Sequence, residues 1–420
     1  MSSPGYADFD LARGHFVAGN AAFEAGRFAD AETLFLASLQ ALPGRPSTLV
    51  NLAAARLRLG RPQDALAPLE RALAAQPGDG AAWSMKGTAL GELARPAEAL
   101  AALERAIACG AADAGVHHRR GLALAALEQL PQAAQAWEHA VALDPRFAAA
   151  WADLGALRRD QGQREQALHC LEQALACGAD DPLVRFQIAG LREGAAAPGA
   201  PPRAYVEQLF DGYAQAFDEH LVQGLGYRTP SLLAEGLGRS GRARFERALD
   251  LGCGTGLCAA PLQPWVRHLD GVDLSAAMLE KARALGRYGL LEQGDVVEHL
   301  RRTARRYDLV VAADVFVYLG ALEPVFQGAR RVLEPGGVFG FSVEAWDGPE
   351  DFHLHATLRY AHGAAYLRRL AQAEGFEMIG MDTHALRQDH GRTIEGLCVW
   401  LRAPGEPGTG AGNAPAPAPR

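Results

Sequence analysis

Small side chains recur every 34 residues through the first half of the chain, from about residue 12 to residue 181. The three series are Ala31, Ala65, Ala99, Ala133 and Ala167; Gly19, Ala53, Gly87, Gly121 and Gly155; and Ser38, Ala72, Ala106, Ala140 and Ala174. Because two helices cross closely only where the side chains between them are small, the pattern predicts paired helices in every unit. One bulky residue per unit would fill the space between the pairs: Phe35, Leu69, Leu103, Trp137 and Leu171.

Prolines mark the predicted helix starts. Pro62, Pro96 and Pro131 stand where the second helix of a unit would begin, a position that tolerates proline. With these prolines and its fixed period, the pattern resembles the tetratricopeptide repeat family over five consecutive units, residues 12–45, 46–79, 80–113, 114–147 and 148–181. The next segment, 182–194, is predicted to be a capping helix, so that an all-α solenoid domain spans residues 12–194.

The resemblance implies that the solenoid binds a protein or peptide in the groove lined by the first helix of each unit. That groove would present side chains of both charge signs: Asn20, Phe23, Arg58, Thr88, Glu92, His118, Arg119 and Arg159. The alternative is a rigid spacer or an oligomerisation surface. A linker rich in Pro, Gly and Ala is predicted at 195–203, after the solenoid.

After residue 245 the hydrophobic pattern changes to short apolar runs that alternate with helical segments. The predicted strands lie in residues 245–257, where a strand runs into a glycine-rich turn, and in 268–274, 290–295, 307–315 and 336–346. Ser275 is placed to cap the helix of residues 275–286. Alternating strands and helices predict a doubly wound parallel sheet.

Candidate ligand contacts follow the ends of these strands, which is where a doubly wound sheet binds its ligand. Gly252, Gly254 and Gly256 allow the backbone to turn sharply and to approach a ligand closely. Asp273 follows the second strand and is placed to accept hydrogen bonds from two ribose hydroxyls. Asp295 follows the third strand and can accept a hydrogen bond from the exocyclic amine of adenine.

The residues around the glycines distinguish two kinds of cofactor. A glycine turn also cradles the pyrophosphate of a dinucleotide, but that fingerprint has Gly or Ala at its sixth position, where this chain has Leu257. Asp250, two residues before the first glycine, would attract an ammonium group and repel a pyrophosphate. A sugar, adenine and an ammonium group together indicate S-adenosylmethionine.

Several motifs resemble those of class I S-adenosylmethionine-dependent methyltransferases, over roughly residues 203–403: ALDLGCGTGL, GVDLSAAML, GD at 294–295, YDLVVAADVFVYLG and RVLEPGGVFGFS. The resemblance implies a methyltransferase domain at 204–403 with a Rossmann-like α/β sheet of seven strands, the last one antiparallel. Residues 376–388 and 393–403 look like the closing antiparallel hairpin of this class.

The same resemblance implies a set of cofactor contacts. The turn glycines would border the methionine part and Asp273 would hold the ribose, with Leu274 and Met278 packed on the adenine, Asp295 and Val296 at its edge, and Asp314 beneath the sulfonium. Residues 204–230 look like the N-terminal helices of bacterial proteins in which tetratricopeptide repeats are fused to a methyltransferase. In related enzymes such a segment closes over the cofactor, so Tyr213 and Phe217 either face the sulfonium or pack within an amphipathic helix.

Residues that would meet the methyl acceptor are predicted in the loops after the fourth and fifth strands: Phe316, Tyr318, Glu344, Trp346, His353, His355, Tyr360 and His362. The catalytic residues stay unassigned, with His353, His355, His362 and Tyr318 as candidates. The alternative for the histidines is helix packing or capping. No metal is expected, because no carboxylate or cysteine stands at binding spacing from His353 and His355 and the methyltransferase family works without one.

The composition of the chain argues against two classes of binding partner. The formal charge is −8, from 49 Asp and Glu against 41 Lys and Arg, which argues against nucleic acid or an anionic membrane. Neither a signal peptide nor a membrane span is recognisable, so a cytoplasmic location is predicted. The tail at 404–420 is of low complexity and is predicted to be disordered.

Together these features predict an enzyme that transfers a methyl group in line from S-adenosylmethionine to an unidentified acceptor. The repeats would dock a protein partner or substrate, or a small metabolite would be the acceptor and the repeats would serve assembly. The non-enzymatic alternative is a repeat scaffold whose second domain binds the cofactor as a sensor.

Overall fold

The chain forms two compact units, Met1–Asp180 and Asp181–Arg420. The structure is a computed structural model that describes residues 6–192, 197–213, 227–389 and 392–405. The first unit is helical and the second is built on a mixed sheet. Each unit contains hydrophobic clusters of its own.

Ten helices in five consecutive pairs make up the described part of the first unit. They are α1 (Tyr6–Glu24), α2 (Phe28–Ala41), α3 (Pro46–Arg58), α4 (Pro62–Ala75), α5 (Gly80–Glu92), α6 (Pro96–Ala108), α7 (Ala114–Ala126), α8 (Leu130–Leu143), α9 (Ala148–Asp160) and α10 (Arg164–Ala176). Helix starts follow the sequence signals. The Asp79 carboxylate accepts a hydrogen bond from Ala82 N at the start of α5, and prolines occupy the first turn of α4 and α6.

The small and bulky series meet within each helix pair, as the sequence predicts. A β-carbon added at Gly87 in α5 would lie 2.6 Å from Leu103 Cγ in α6. One added at Gly121 in α7 would lie 2.3 Å from Trp137 Nε1 in α8. Since both bulky side chains are buried, only a residue without a side chain fits opposite them. The predicted all-α repeat fold is confirmed.

The first helices of successive pairs contact one another through polar side chains. Asn51 Nδ2 in α3 donates to Asn20 Oδ1 in α1 over 2.7 Å. Arg119 Nη2 in α7 donates to Ser84 Oγ in α5 over 3.0 Å. These helices therefore form one continuous surface, which includes the predicted groove residues Asn20 and Arg119.

The first helix of the second unit is α11 (Pro182–Leu191), which the sequence analysis assigns to the end of the repeat array. Its Phe186 is buried in one apolar cluster with Leu354, Leu358 and Tyr360. Burial of this ring explains why the boundary between the compact units falls before Asp181 rather than after residue 194.

The second unit is organised around one sheet, which has nine strands in the described ranges. They are β1 (Phe245–Leu251), β2 (Val266–Asp273), β3 (Leu290–Gln293), β4 (Tyr307–Ala312), β5 (Leu333–Trp346), β6 (Phe352–Leu354), β7 (Tyr360–Gly363), β8 (Glu377–Asp389) and β9 (Arg392–Arg402). The order is β3-β2-β1-β4-β5-β7-β6, parallel from β3 through β7. β6 is antiparallel to β7, β9 to β5, and β8 to β9. The doubly wound sheet and its antiparallel hairpin are confirmed.

The hairpin of β6 and β7 is the difference from the predicted seven strands. β5 pairs with β4 as far as Phe341 and with β7 from Glu344 onward. Since β4 ends at Ala312, the last residues of β5 would otherwise have an open edge. β7 covers that edge and extends the sheet beyond the carboxyl end of β4.

Helices on the sheet complete the second unit: α12 (Arg203–Tyr213), α13 (Thr229–Gly236), α14 (Ala259–Leu262), α15 (Ala276–Ala284), α16 (Val296–Arg302), α17 (Glu323–Val332) and α18 (Ala364–Ala373). The Ser275 hydroxyl accepts a hydrogen bond from Met278 N, which confirms it as the cap of α15. Four phenylalanines pack together in the core, Phe316, Phe326, Phe339 and Phe341.

Residues 197–202, part of the predicted linker, are attached to the second unit by hydrogen bonds. Gly320 N and Ala321 N donate to Gly199 O over 2.9 and 3.0 Å. Tyr360 donates its hydroxyl hydrogen to Pro198 O over 2.6 Å. Of the predicted tail, residues 406–420 lie outside the described residues. Among the helices in the described ranges, none combines the length and apolar character needed to cross a bilayer.

Candidate active site

A cavity of about 550 Å³ opens at the carboxyl ends of the parallel strands. Its lining comes from the turn after β1 (Gly252–Thr255), from the last residue of β2 and the one that follows (Asp273, Leu274), and from the residues after β3 (Gly294–Val296) and after β4 (Ala313–Val315). α12 adds Val206, Leu209 and Phe210. The cavity therefore lies at the sheet edge that the sequence predicts, in the second unit.

The glycine turn brings the backbone of β1 to the cavity. Gly252 has φ +62° and Gly254 has φ +54°, values that favour glycine. A β-carbon at Gly252 would also lie 2.6 Å from Val315 Cγ2. Gly256 has φ +96°, but it packs against Leu285 and Tyr288 and is not among the lining residues.

Asp273 at the end of β2 ties the glycine turn to the start of α15. Gly254 N donates to its Oδ2 over 2.8 Å, and Ser275 N donates to its Oδ1 over 2.9 Å. The side chain is nearly buried, and this desolvation raises the pKa of Asp273. Each carboxylate oxygen accepts two hydrogen bonds, so both keep capacity for a ligand hydroxyl at the cavity.

Asp295 is both a helix cap and a lining residue. Val297 N and Glu298 N donate to its Oδ1 over 3.0 and 2.9 Å at the start of α16. Its neighbour Val296 lines the cavity, as does Leu274 after β2. The carboxylates of Asp273 and Asp295 therefore reach one cavity from neighbouring strand ends.

Two of the predicted contacts lie away from the cavity. Asp250 is still within β1 and fully buried, and Tyr288 donates its hydroxyl hydrogen to Asp250 Oδ2 over 2.8 Å. Desolvation raises the pKa of Asp250 to about 7. Met278 is fully buried within α15, which turns its side chain into the core. Neither residue is among those that line the cavity, so the predicted ammonium and adenine contacts of Asp250 and Met278 stay predictions.

Asp314, two residues after the end of β4, is held in a strained conformation at the cavity. Its φ of +55° is rare for a residue with a β-carbon. Asp314 N donates to Ser342 Oγ over 2.8 Å, and that hydroxyl donates to Asp314 Oδ1 over 2.9 Å. Arg387 Nη1 in β8 donates to Asp314 Oδ2 over 3.0 Å. Two hydrogen bonds therefore fix the carboxylate, and a third fixes the backbone of the residue that the resemblance places beneath the sulfonium.

The comparisons with known proteins agree with this geometry. A family model described as a methyltransferase domain matches residues 248–337, and one described as a tetratricopeptide repeat matches residues 22–89. Malonyl-[acyl-carrier protein] O-methyltransferase of Halalkalibacterium halodurans is 30% identical over 206 residues, which are 47% of this chain and 72% of that relative. The chain belongs to the methyltransferase family.

Other similar proteins carry methyltransferase names. Human Methyltransferase-like protein 27 is 41% identical over 96 residues, 22% of this chain and 39% of that protein. A solved S-adenosylmethionine-dependent methyltransferase from Clostridium acetobutylicum is 18% identical to this chain, with a TM-score of 0.36. The match covers 47% of this chain and 100% of the solved protein. The chain thus spans under half of the human relative's length.

The four candidate catalytic residues of the methyltransferase occupy different surroundings. Tyr318 lines the cavity, with its ring centroid 5.1 Å from that of Phe210 in α12. The three histidines are not among the lining residues. His353 stacks on Trp346 with centroids 4.2 Å apart, and His355 approaches the same indole.

His362 is fully buried, and its Nε2 lies 3.0 Å from Gly320 O. Burial lowers the pKa of His362 to about 4, so this imidazole is neutral at physiological pH. The β6–β7 hairpin directs all three histidines into packing instead of the cavity. Tyr213 and Phe217, predicted beside the sulfonium, lie outside the side chains that the structure describes.

The lining residues that sequence reasoning did not single out include Tyr227, Arg359 and Arg387. Desolvation and the Asp314 carboxylate raise the pKa of Tyr227 well above its usual range, so its hydroxyl stays protonated. Arg387 also donates to Glu344. For Arg387, the sequence contains one indication of a place near the sheet, its position in the predicted hairpin. The residues around Arg359 and Tyr227 form no pattern that indicates a ligand contact.

Proposed function

We propose that this protein transfers a methyl group from S-adenosylmethionine to an acceptor bound in the same cavity. The observation that carries the proposal is the convergence of Asp273 and Asp295 on one cavity, beside the backbone turn of Gly252 and Gly254. Two carboxylates at neighbouring strand ends suit the hydroxyls of a ribose and the amine of an adenine. They would repel the pyrophosphate of a dinucleotide.

The lining residues fit the proposed cofactor in chemistry and in size. Asp273 has acceptor capacity for a diol, and the Asp295 carboxylate lies one strand further along the sheet. Leu274 and Val296 offer apolar surface for a flat base between these acids. A volume of about 550 Å³ is typical of cavities that hold a small-molecule cofactor and a substrate.

The chemistry needs positioning more than a covalent catalyst. S-adenosylmethionine, when bound, supplies an electrophilic methyl group on a sulfonium. The protein's task is to hold the nucleophile in line with that methyl and to exclude water. Phe210 and Tyr318 put aromatic surface on the cavity, and the hydrogen-bonded Asp314 adds a fixed negative charge. The aromatic surface favours a cationic group nearby, whereas the charge of Asp314 is paired with that of Arg387.

No histidine is among the described residues that line the cavity, so the structure offers no support for a histidine as general base. Tyr227 and Tyr318 line the cavity, and the high pKa of Tyr227 makes it a hydrogen-bond donor rather than a base. An acceptor that arrives already deprotonated would need no proton removed.

Cofactor binding tests the proposal directly. S-adenosylhomocysteine should raise the melting temperature of the second unit, and NAD should leave it unchanged. Asp273→Asn should weaken S-adenosylhomocysteine binding by about tenfold or more, because a hydrogen bond to a charged group contributes about 1.5–3 kcal/mol.

The matched control is Asp382→Asn, a carboxylate in β8 that pairs with Arg239 outside the cavity lining. Asp382→Asn should keep the wild-type shift in melting temperature with S-adenosylhomocysteine. Stabilisation by NAD and not by S-adenosylhomocysteine would refute the methyltransferase proposal.

The repeats are proposed to dock a protein or peptide that the second unit methylates. The continuous surface of the first helices carries Arg119, whose Nε is buried and has no hydrogen-bond partner in the described residues. The polar side chains of this surface, Asn20, Asn51, Ser84 and Arg119 among them, offer hydrogen-bonding groups to a docked segment. Tetratricopeptide repeats are used elsewhere to bind protein surfaces, as the sequence resemblance implies.

A further inference from the structure

Arg359 brings a positive charge to the cavity from the β6–β7 side of the sheet, whereas the lining residue Arg203 in α12 pairs with Glu207. Along the strand order, Asp295 and Asp273 follow β3 and β2, the glycine turn follows β1, and Arg359 lies beyond β4, just before β7. Neighbouring strands are about 4.8 Å apart, so Arg359 is several strands from the two carboxylates that suit the cofactor. It therefore faces the part of the cavity left for a second molecule.

A buried anchor fixes the turn that carries Arg359. His355 N donates to Arg359 O over 2.9 Å, and Leu358 N donates to His355 O over 2.8 Å. Leu358 has φ +62°, a strained value for a branched side chain. Its side chain is only 1% exposed and packs with Phe186 and Tyr360, which holds the strained turn in place. Such strain is found where a fold fixes a functional side chain.

Two acids, Asp314 in the cavity lining and Glu344 close to Arg359, are already hydrogen-bonded to Arg387. Arg359 Nη1 approaches Glu344 Oε1 at 4.0 Å, which is beyond hydrogen-bond distance. In the described part of the chain no shorter side-chain contact of Arg359 is found. The side chain of Arg359 is 28% exposed, and its guanidinium therefore keeps its donors for a molecule in the cavity.

We infer that Arg359 binds a carboxylate of the methyl acceptor, which rests on the proposed methyltransferase function. A guanidinium matches a carboxylate through two parallel hydrogen bonds. A single arginine close to the Glu344 carboxylate favours a single negative charge over the double charge of a phosphate monoester. Leu209, Phe210 and Leu319 line the same cavity, so the rest of the acceptor is apolar.

Matched probes test this inference on the full chain saturated with S-adenosylhomocysteine. Hexanoate, hexanamide and hexylamine have one apolar tail and differ in the charge of the head group. Wild type should bind hexanoate about tenfold more tightly than hexanamide in calorimetric titrations, a difference of about 1.4 kcal/mol. Arg359→Gln should remove that preference, and Arg359→Glu should prefer hexylamine.

The control variant is Arg369→Gln, which removes one positive charge from α18 at an exposed pair with Asp351. It should keep the wild-type preference. The S-adenosylhomocysteine shift of every variant reports that its second unit is folded. Equal binding of hexanoate and hexanamide, no binding of hexanoate, or a preference that survives Arg359→Gln overturns the inference. Failure of wild type to bind S-adenosylhomocysteine instead defeats the proposed function.

Discussion

The buried Asp250 carboxyl makes the stability of the second unit depend on pH. Its folded pKa of about 7 lies above the ordinary value of 3.8, so the folded state holds the proton more strongly than the unfolded state. This contribution to the free energy of unfolding is complete below about pH 4 and is lost as the pH rises through 7. Asp250→Asn should remove the slope and be more stable than wild type at pH 8, by up to about 4 kcal/mol.

Urea unfolding of the second unit between pH 4 and 8 measures the effect. Tyr288→Phe is the companion variant, because its hydroxyl donates to Asp250 Oδ2 and favours the charged form. Losing that donor should raise the folded pKa of Asp250 further and extend the decline in stability to higher pH. An unchanged slope in Asp250→Asn would show that another group titrates.

The position of a single residue could be predicted from the sequence where that residue stands at the end of a strand. Asp273 and Asp295 follow recognisable strands, so their arrival at one sheet edge follows from topology. Asp250 is only two residues from the turn, but its carboxylate meets Tyr288 inside the fold, and no sequence pattern indicates that contact. Arg359 reaches the cavity through a turn whose geometry depends on the distant Phe186.

At the scale of the helix pair, the close crossing of α7 and α8 makes Gly121 intolerant of a side chain. Gly121→Ala would place a β-carbon 2.3 Å from the rigid indole of Trp137. The variant should destabilise the first unit by about 1–3 kcal/mol, the usual cost of overpacking. Thermal unfolding followed by circular dichroism measures the change.

Gly14→Ala in α1 is the matched control, because nothing lies within 4 Å of the added carbon. It should stabilise the unit by up to about 1 kcal/mol through helix propensity. Equal effects of the two substitutions would contradict the packing explanation.

Elements with a strong period were predictable, and short ones were not. The 34-residue series identifies helix pairs because every unit repeats the same contact. β6 and β7 have three and four residues, too few to show an alternation, and they exist because β5 continues past the end of β4. The number of strands therefore depended on pairing that a single sequence does not display.

At the scale of the whole molecule, the docking proposal predicts that the first unit selects the substrate. Full chain and the fragment 181–420 should be compared for transfer of labelled methyl groups into the protein and small-molecule fractions of a host extract. The fragment's melting-temperature shift with S-adenosylhomocysteine shows that its second unit is folded.

Labelling of the protein fraction should fall at least about tenfold in the fragment, the loss expected for a docking contact of about 1.4 kcal/mol. Labelling that stays the same without residues 1–180 contradicts docking. Labelling confined to the small-molecule fraction in both cases points to a metabolite acceptor.

The attachment of residues 197–202 determines where an expressed fragment of the second unit should begin. A fragment that starts at residue 204, the domain boundary predicted from composition, lacks Gly199. Gly320 N and Ala321 N would then lose the carbonyl oxygen that accepts their hydrogen bonds. The fragment would also uncover the pocket that Phe186 fills beside the Arg359 turn. Expression of the catalytic half should therefore begin no later than Asp181, or a loss of activity will be mistaken for a requirement for the repeats.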